Sequence, residues 1–384
     1  MPFLSTSPQR ALALPLTVAL LVAAAACIQP ATSPPPAAGS APSAGPLAAA
    51  SGPAATAAPT TAPTSAAATG AATPVVLSLF GGAADAGAYI AYDRGYFQEA
   101  GLDIQFKENL NGTSMIPFLA TGELDVGGAA AGASFYNALN RGAVVKIVAD
   151  KGHLAKGFGY EGLVVRADLA GTIRSFGDLK GRQVALSSKP NIDAVLLSEG
   201  LQRAGLGFGD LADVLEMPNP EMVSALGNRS VDAAVLIEPF ITRAEAENIG
   251  STLARFDEVS PNHQVGVLFF SPQFITGKTD AARRFMVAYL RGVREYDDAF
   301  VKNQNRPAIV QLLTKYTSVK DPAIWDQMVP PGLNPDGYVD LPSLAADAQY
   351  YLDQGYLQSK VDVNQVVDNS LVEYAVQQLG PYAR

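Results

Sequence analysis

The chain has 384 residues, of which 48% are hydrophobic and 16% are charged, and its formal net charge is −9. This negative charge argues against nucleic acid as a partner, because phosphate binding needs clustered lysine and arginine side chains. The single cysteine, Cys27, excludes a disulfide framework and a thiolate metal site, and two histidines, His153 and His263, are too few for a histidine metal cluster. We therefore expect neither a metal nor another cofactor.

The first 27 residues have the pattern of an export signal. Arg10 precedes an apolar run, residues 11–26, which ends in small residues directly before Cys27. This ending resembles a bacterial lipobox, in which the cysteine is lipidated and becomes the first residue of the mature protein. Ala24 departs from that motif, which usually has leucine there. Secretion without lipid and an uncleaved membrane anchor are the alternatives, although the run is near the lower length limit for a membrane span.

Residues 28–73 consist almost entirely of Ala, Pro, Ser, Thr and Gly, and none of them is charged. Beyond Gln29 the only large apolar residue is Leu47, so this tract cannot bury a core and is predicted to be a disordered tether. About 310 residues follow the tether, which is enough for two lobes with cores of their own.

Short apolar runs and helical segments alternate after the tether. The first predicted strands are Val75–Phe80, Leu102–Phe106 and Leu124–Val126. A helical segment follows each strand, and the third helix is predicted to begin after a loop at Gly127–Gly132. Strands and helices in this order form a parallel sheet with right-handed crossovers. Ligands of such sheets bind beyond the carboxyl ends of the strands.

The same pattern begins again near residue 184. The strands predicted here are Val184–Leu186, Val214–Leu215 and Val231–Ile237. An aspartate lies just before or within the third strand of each unit, Asp125 in the first and Asp232 in the second, and we expect both to bond backbone amides or to cap loops. Two similar units in sequence predict two lobes with a ligand cleft between them.

Five segments carry a resemblance to a known family. They are Asp93-Arg94-Gly95-Tyr96-Phe97, Gly101-Leu102-Asp103-Ile104, Gly122-Glu123-Leu124-Asp125, Asp178-Leu179-Lys180-Gly181, and Val231-Asp232-Ala233-Ala234 with Glu238-Pro239. In this order they resemble the substrate-binding proteins of ABC importers, in the branch that binds thiamine pyrimidines, riboflavin, sulfonates or nitrate. The resemblance runs over residues 75–384.

The resemblance implies an α/β fold, the two-lobed periplasmic-binding-protein fold of type II. Each lobe would be a mostly parallel sheet flanked by helices, and two hinge crossings would join the lobes. Lobe 1 would comprise residues 74–163 and 270–384, and lobe 2 residues 164–269. The implied function is capture of a small solute outside the cell and its delivery to an ABC permease, without chemistry, by a monomer held to the membrane through lipid on Cys27.

Two other functions are compatible with the same fold. One is the activity of the eukaryotic thiamine-pyrimidine synthases, but those enzymes carry a cysteine-rich iron motif and work inside cells, whereas this chain has only Cys27. The other is a surface adhesin or sensor domain.

The candidate ligand-binding residues stand at the carboxyl ends of predicted strands and at the starts of helices, where free backbone N–H groups and short side chains can face the cleft. In lobe 1 they are Phe80, Gly81, Gly82, Tyr89, Thr113, Ser114, Ala130, Ala131, Ser134 and Tyr160. In lobe 2 they are Ser187, Ser188, Asn191, Glu238 and Phe240.

These residue types favour a neutral or partly cationic planar heterocycle, such as a pyrimidine precursor of thiamine or a flavin. Phe80 and Tyr89 are expected to stack on its ring, and Glu238 to accept its N–H or O–H groups. A sulfonate such as taurine, or nitrate, is the alternative ligand, because Lys156, Lys189 and Arg243 offer positive charge.

Overall fold

A computed structural model describes residues 71–383 except 108, 109, 111 and 113. The predicted export signal, Cys27, nearly all of the tether and the candidate residue Thr113 lie outside the described residues. Among the residues that are described, no helix combines the length and the apolar character needed to cross a membrane.

The described residues form two five-stranded sheets. The strands are β1 (Thr73–Ser78), β2 (Leu102–Phe106), β3 (Val126–Ala129), β4 (Lys146–His153), β5 (Glu161–Arg166), β6 (Gln183–Leu186), β7 (Asp213–Glu216), β8 (Ala233–Ile237), β9 (Gly250–Arg255) and β10 (Gln264–Phe270). The strand order is β2-β1-β3-β10-β4 in the first sheet and β7-β6-β8-β5-β9 in the second. One strand in each sheet, β10 or β5, runs antiparallel to its neighbours. The other four share one direction, so the predicted mostly parallel α/β architecture is confirmed.

Helices cover both sheets. They are α1 (Ala86–Asp93), α2 (Tyr96–Glu99), α3 (Met115–Thr121), α4 (Ala133–Asn140), α5 (Ile192–Arg203), α6 (Asn219–Gly227), α7 (Phe240–Ala246), α8 (Phe256–Val259), α9 (Pro272–Gly277), α10 (Thr279–Phe300), α11 (Arg306–Tyr316), α12 (Pro322–Gln327), α13 (Leu341–Asp353), α14 (Val363–Val366) and α15 (Ser370–Leu379). The longest, α10, buries Phe285, Met286 and Tyr289 on one face. This helix crosses α1 closely at Gly292, which has no side chain. A Cβ added there would lie only 2.1 Å from the carbonyl oxygen of Gly87.

Two segments that the sequence pattern does not assign to strands belong to strands in the structure. Gly127 and Gly128 belong to β3, although the run Gly127–Gly132 reads as a loop, and the strand β9 was not predicted at all. The missing side chains of β3 leave space for neighbours that pack on the sheet. A Cβ at Gly127 would lie 2.6 Å from the Met115 sulfur, and one at Gly128 would lie 2.7 Å from Cδ of Lys151. Glycine therefore serves close packing here rather than a turn.

Two segments connect the lobes, residues 154–160 between β4 and β5 and residues 256–263 between β9 and β10. The pairing of β5 with β8 and of β10 with β3 assigns these strands to the second and first sheets respectively. Both crossings therefore precede the boundaries expected from the resemblance, which lay at 163/164 and 269/270. Each expected boundary falls within an apolar run that is one continuous strand.

An aspartate fastens the third strand to the first in both lobes. Asp125 Oδ2 accepts a hydrogen bond from Val76 N at 3.0 Å, and Asp232 Oδ2 accepts one from Gln183 N at 3.1 Å. The backbone N–H of each aspartate donates in return to the carbonyl oxygen of the same partner. The two pairs have the same sequence separation of 49 residues. The prediction that these aspartates bond backbone amides is confirmed, and the repeat of the two lobes extends to single hydrogen bonds.

We expect Asp125→Ala to cost more stability than Asp232→Ala. Asp125 is buried, so its loss leaves the Val76 N–H unsatisfied, a cost of about 1–3 kcal/mol in the free energy of unfolding. Gln183 is an exposed residue, so water can replace the carboxylate of Asp232. Urea denaturation of both variants measures the difference, and equal losses would contradict this account.

Candidate functional site

The lobes meet at loops that follow strands. The Ala133 N–H, at the start of α4, donates to the Pro190 carbonyl oxygen of lobe 2 at 3.0 Å. A Cβ added at Gly132 would lie 3.1 Å from that oxygen and 3.2 Å from Asn191 Oδ1. The loops after β3 and β6 are therefore in direct contact, at the carboxyl edges where the sequence predicts the ligand site.

Glu238 lies at this edge as a buried, fully occupied carboxylate. Its Oε1 accepts hydrogen bonds from Arg255 Nη1 at 2.8 Å and from Val329 N at 3.3 Å. Its Oε2 accepts from Thr242 N at 3.0 Å, in the first turn of α7. Protein donors thus hold both oxygen atoms that were expected to accept from a ligand, and the contact of Glu238 with a ligand stays a prediction.

The two aromatic residues predicted to stack on a ligand lie in different environments. The Phe80 ring is on the surface, with 68% of the residue exposed, whereas Tyr89 is buried. The Tyr89 ring stacks on Tyr316 at a centroid distance of 5.4 Å and contacts Phe106 at 5.9 Å. Tyr89 is therefore engaged in an aromatic cluster of lobe 1, and the structure does not bring the two rings into one wall.

A buried ion pair stands behind the loop that follows β1. Asp85 Oδ1 lies 2.7 Å from Lys151 Nζ, and both side chains are almost fully buried. Asp85 Oδ2 accepts hydrogen bonds from the N–H groups of Gly81 and Gly82 at 2.7 and 3.1 Å. The Lys151 stem passes close to Gly128, which has no side chain to block it. The amides predicted to receive a ligand at this strand end are therefore bonded to a protein carboxylate.

Asp193 has the corresponding place in lobe 2. It lies in the first turn of α5, and its Oδ2 accepts a hydrogen bond from Ser187 N at 2.9 Å, directly after β6. A second buried acid of lobe 2 is Glu161, the first residue of β5. Burial raises the pKa of both carboxyls, and the charge of Asp193 raises the pKa of Glu161 further, so that it lies well above its usual range.

The remaining candidates are spread around the lobe contact. Ala131 and Tyr160 are buried, Ser134 is exposed, and Ala130, Ser114, Ser188, Asn191 and Phe240 are partly buried. Tyr160 lies at the end of the first crossing, and its hydroxyl group reaches Gly152 of β4. A Cβ added at Gly152 would lie 2.8 Å from the hydroxyl oxygen. Phe240 packs against the core of lobe 2 that contains Met222 and Ile241.

Sequence reasoning missed Asp85, Lys151, Glu161 and Asp193. A signal existed for all four residues. Asp85 and Asp193 begin helices that follow a first strand, a position where an acid can accept strand-end amides. Lys151 and Glu161 are charges inside or beside apolar strands, which is rare unless the charge has a specific partner.

The second crossing contains a histidine that contacts both lobes. His263 Nε2 is 2.9 Å from Asp347 Oδ1 on α13, and its Nδ1 is 2.7 Å from Ser260 Oγ and 3.9 Å from Glu199 on α5. Burial acts to lower the pKa of His263, but the hydrogen bond and charge of Asp347, with smaller contributions from Glu199 and Asp340, raise it above the usual value overall.

We expect His263 to make stability depend on pH near neutrality. A histidine whose pKa is raised by folding stabilises the protein below its unfolded pKa, and this contribution disappears as pH rises through the folded pKa. The stability advantage of the wild type over His263→Gln should therefore shrink as pH rises from 6 through the raised folded pKa of His263. Chemical denaturation at several pH values measures it, and an advantage that stays constant or grows would contradict the assignment.

Comparison with known proteins agrees with the observed architecture. The profile of the family described as NMT1/THI5 like matches residues 84–298, more than half of the chain. A protein of Brucella abortus described as a binding protein is 25% identical over 211 residues. That match covers 55% of this chain and 62% of the Brucella protein, so the chain matches less than two thirds of its relative.

Two solved structures show how widely the fold is used. The alkanesulfonate-binding protein SsuA of Xanthomonas axonopodis pv. citri, bound to MOPS, is 18% identical with a TM-score of 0.60, over 78% of this chain and 99% of that one. The desulfurization enzyme DSZB is 14% identical with a TM-score of 0.59, over 79% of this chain and 99% of the enzyme. At these identities the likeness concerns the fold, which therefore carries both binding proteins and an enzyme.

Proposed function

Because the chain belongs to the NMT1/THI5-like family and consists of two lobes with the same strand order, we propose that it is the substrate-binding protein of an ABC importer. In this role it captures a small solute between its lobes, as a monomer, and delivers it to the permease.

The repeated strand order is the observation that carries the proposal. Each sheet has three parallel strands followed by an inserted antiparallel strand, and two crossings join the sheets. Two crossings permit a hinge motion of one lobe against the other. A solute that contacts both lobes stabilises the closed form, because those contacts exist only there.

The solute that we propose is a neutral or cationic planar heterocycle, of the pyrimidine or flavin type. Lobe 1 offers little free positive charge beside β1, because Lys151 and the amides of Gly81 and Gly82 are bonded to Asp85. Lobe 2 adds the buried acids Glu161 and Asp193. A bound anion would find these donors of lobe 1 already bonded to Asp85, and the acidic groups of lobe 2 would repel it.

A sulfonate or similar anion is the second candidate solute, favoured by the fold likeness to the sulfonate-binding SsuA. An enzymatic function is a weaker alternative, although the fold also carries the desulfurization enzyme. The chain has only Cys27 as a thiol, within the predicted export signal, so a cysteine nucleophile at the lobe contact is excluded by the sequence.

Calorimetric titration with riboflavin, a hydroxymethylpyrimidine, taurine and nitrate tests the function and the solute class together. We expect one of the heterocycles to bind and to make the protein more compact in small-angle X-ray scattering. Tight binding of taurine or nitrate alone would select the anion. If none of these four solutes binds and none changes the scattering of the protein, the result contradicts the proposed transport function.

A variant at the lobe contact tests whether closure contributes to affinity. Gly132 has φ −76° and ψ 173°, which any residue adopts, so Gly132→Val adds a side chain against Pro190 without backbone strain. We expect it to weaken solute binding roughly tenfold or more, because a side chain at this contact keeps the two loops from approaching each other. Gly171→Ala is the matched control, because its Cβ would meet nothing within 4 Å.

We propose further that the protein is exported and held at the outer face of the cell membrane by lipid on Cys27, through the tether of residues 28–73. The support is the small-residue run before Cys27 and the charge-free composition behind it. Cys27→Ser should move the protein from the membrane fraction to the soluble fraction after cell lysis. Retention of the variant in the membrane would point to an uncleaved anchor.

A further inference from the structure

Equivalent carboxylates have different neighbours in the two lobes. In lobe 1, the carboxylate beside the end of the first strand, Asp85, is neutralised by Lys151 at 2.7 Å. In lobe 2, the equivalent carboxylate, Asp193, is joined by a second buried acid, Glu161, whose pKa its charge raises. Among the described residues, no lysine, arginine or histidine forms an ion pair with either of these two acids. The lobe 2 acids, as we call Glu161 and Asp193, therefore lack the cation that their counterpart has.

One oxygen atom of this pair has no partner. Glu161 is only 3% exposed, and its Oε1 makes no hydrogen bond to any described residue. Buried polar atoms are nearly always bonded, because leaving one unbonded costs its full desolvation. Hydrogen bonds within the fold account for Asp85, Asp125 and Glu238, whereas no residue that the structure describes donates to this oxygen.

The position of the lobe 2 acids indicates that a partner for this oxygen would come from the ligand cleft. Glu161 pairs with Ile237 in the sheet, so it lies at the carboxyl edge of β8. Asp193 accepts from Ser187 and lies two residues after Asn191, in the loop that contacts lobe 1. The unbonded oxygen is therefore at the edge of lobe 2 where two-lobed proteins of this topology bind their ligands.

We propose that the lobe 2 acids are the subsite for a positively charged nitrogen group of the solute, an ammonium, an amidinium or a protonated ring nitrogen. The inference rests on the proposed function and makes its solute class specific. The cationic group would form an ion pair with Glu161 and Asp193, as Lys151 does with Asp85. A metal ion is not the expected occupant, because the described residues include no group of three or more histidine, cysteine, aspartate or glutamate side chains that could hold one.

At this subsite, binding of a cation is coupled to the release of a proton. Burial, together with the charge of Asp193 on α5, favours the protonated form of Glu161, and a cation at the site favours the carboxylate. Tyr160, beside Glu161, and Tyr351 of α13, near Asp193, are the other titratable groups that face the pair, and both stay neutral because burial raises their pKa values. Binding of a cation at neutral pH should therefore release up to one proton from Glu161.

The test uses small planar probes with the full chain. Benzamidine and benzylammonium are the cations, benzamide is the neutral match, and benzoate is the anion. We expect the cations to bind at least roughly tenfold more tightly than benzamide, and benzoate to bind least. Titrations of benzamidine in buffers with different ionisation enthalpies should show the released proton. Equal binding of the four probes, or no binding of the cations, would overturn the proposal.

Variants separate recognition from structure. Glu161→Gln keeps the shape of the side chain and should weaken benzamidine binding at least roughly tenfold and abolish proton release. In the absence of a probe its unfolding midpoint should be equal to or higher than that of the wild type. Glu161→Met provides the same test if the glutamine variant does not fold. The control is Glu221→Gln, an exposed acid on α6, which should change neither property.

The outcomes distinguish this inference from the proposed function. If both Glu161 variants lose stability and benzamidine affinity is unchanged where it can be measured, the acids have a structural role and the subsite is wrong. If taurine binds and closes the lobes while the cations do not bind, the protein is still a substrate-binding protein and only the subsite fails. If no solute or probe closes the lobes, both proposals fail.

Discussion

The structure depends on the requirement that backbone N–H groups at strand ends find acceptors when they are buried. Strand ends in an α/β lobe leave N–H groups without a sheet partner, and an unbonded group costs its desolvation. This protein supplies aspartates for that purpose at related places in both lobes. Asp125 and Asp232 bond the first strand of each sheet, and Asp85 and Asp193 bond the amides just beyond it. The repeated fold is thus a repeated solution to one hydrogen-bonding problem.

Two of these aspartates also bear on the electrostatics of the carboxyl edges. Asp85 and Asp193 lie beyond the carboxyl ends of the strands β1 and β6, and a buried charge needs a partner. Lysine, arginine and backbone donors provide one for most of these acids, including Glu238, which is held by Arg255. The acids of lobe 2 are the exception. If the lobe 2 acids form the proposed subsite, the cleft selects its ligand by charge as well as by shape.

Membership of the NMT1/THI5-like family and the two-lobed fold support binding rather than identify the solute. The fold likeness includes a sulfonate-binding protein and a desulfurization enzyme, so the scaffold alone does not choose between ligands or between binding and chemistry. That choice depends on a few buried side chains at the strand ends. In this chain those side chains are carboxylates and small residues, and the surface-exposed Phe80 is the one large ring that the loop after β1 presents to solvent.

The sequence by itself determined the α/β class, the two repeated units, most helices and strands, and the role of Asp125 and Asp232, because these follow from local periodicity and from the repeat. Sequence motifs also carried the family resemblance. Only the tertiary structure decided that Gly127 and Gly128 are in a strand, that Tyr89 packs inside lobe 1, and that Glu238 is occupied by Arg255. It alone paired Lys151 with Asp85 and left Oε1 of Glu161 without a donor among the residues that the structure describes. These contacts join residues that are far apart in the chain, and no local pattern encodes which buried charge meets which partner.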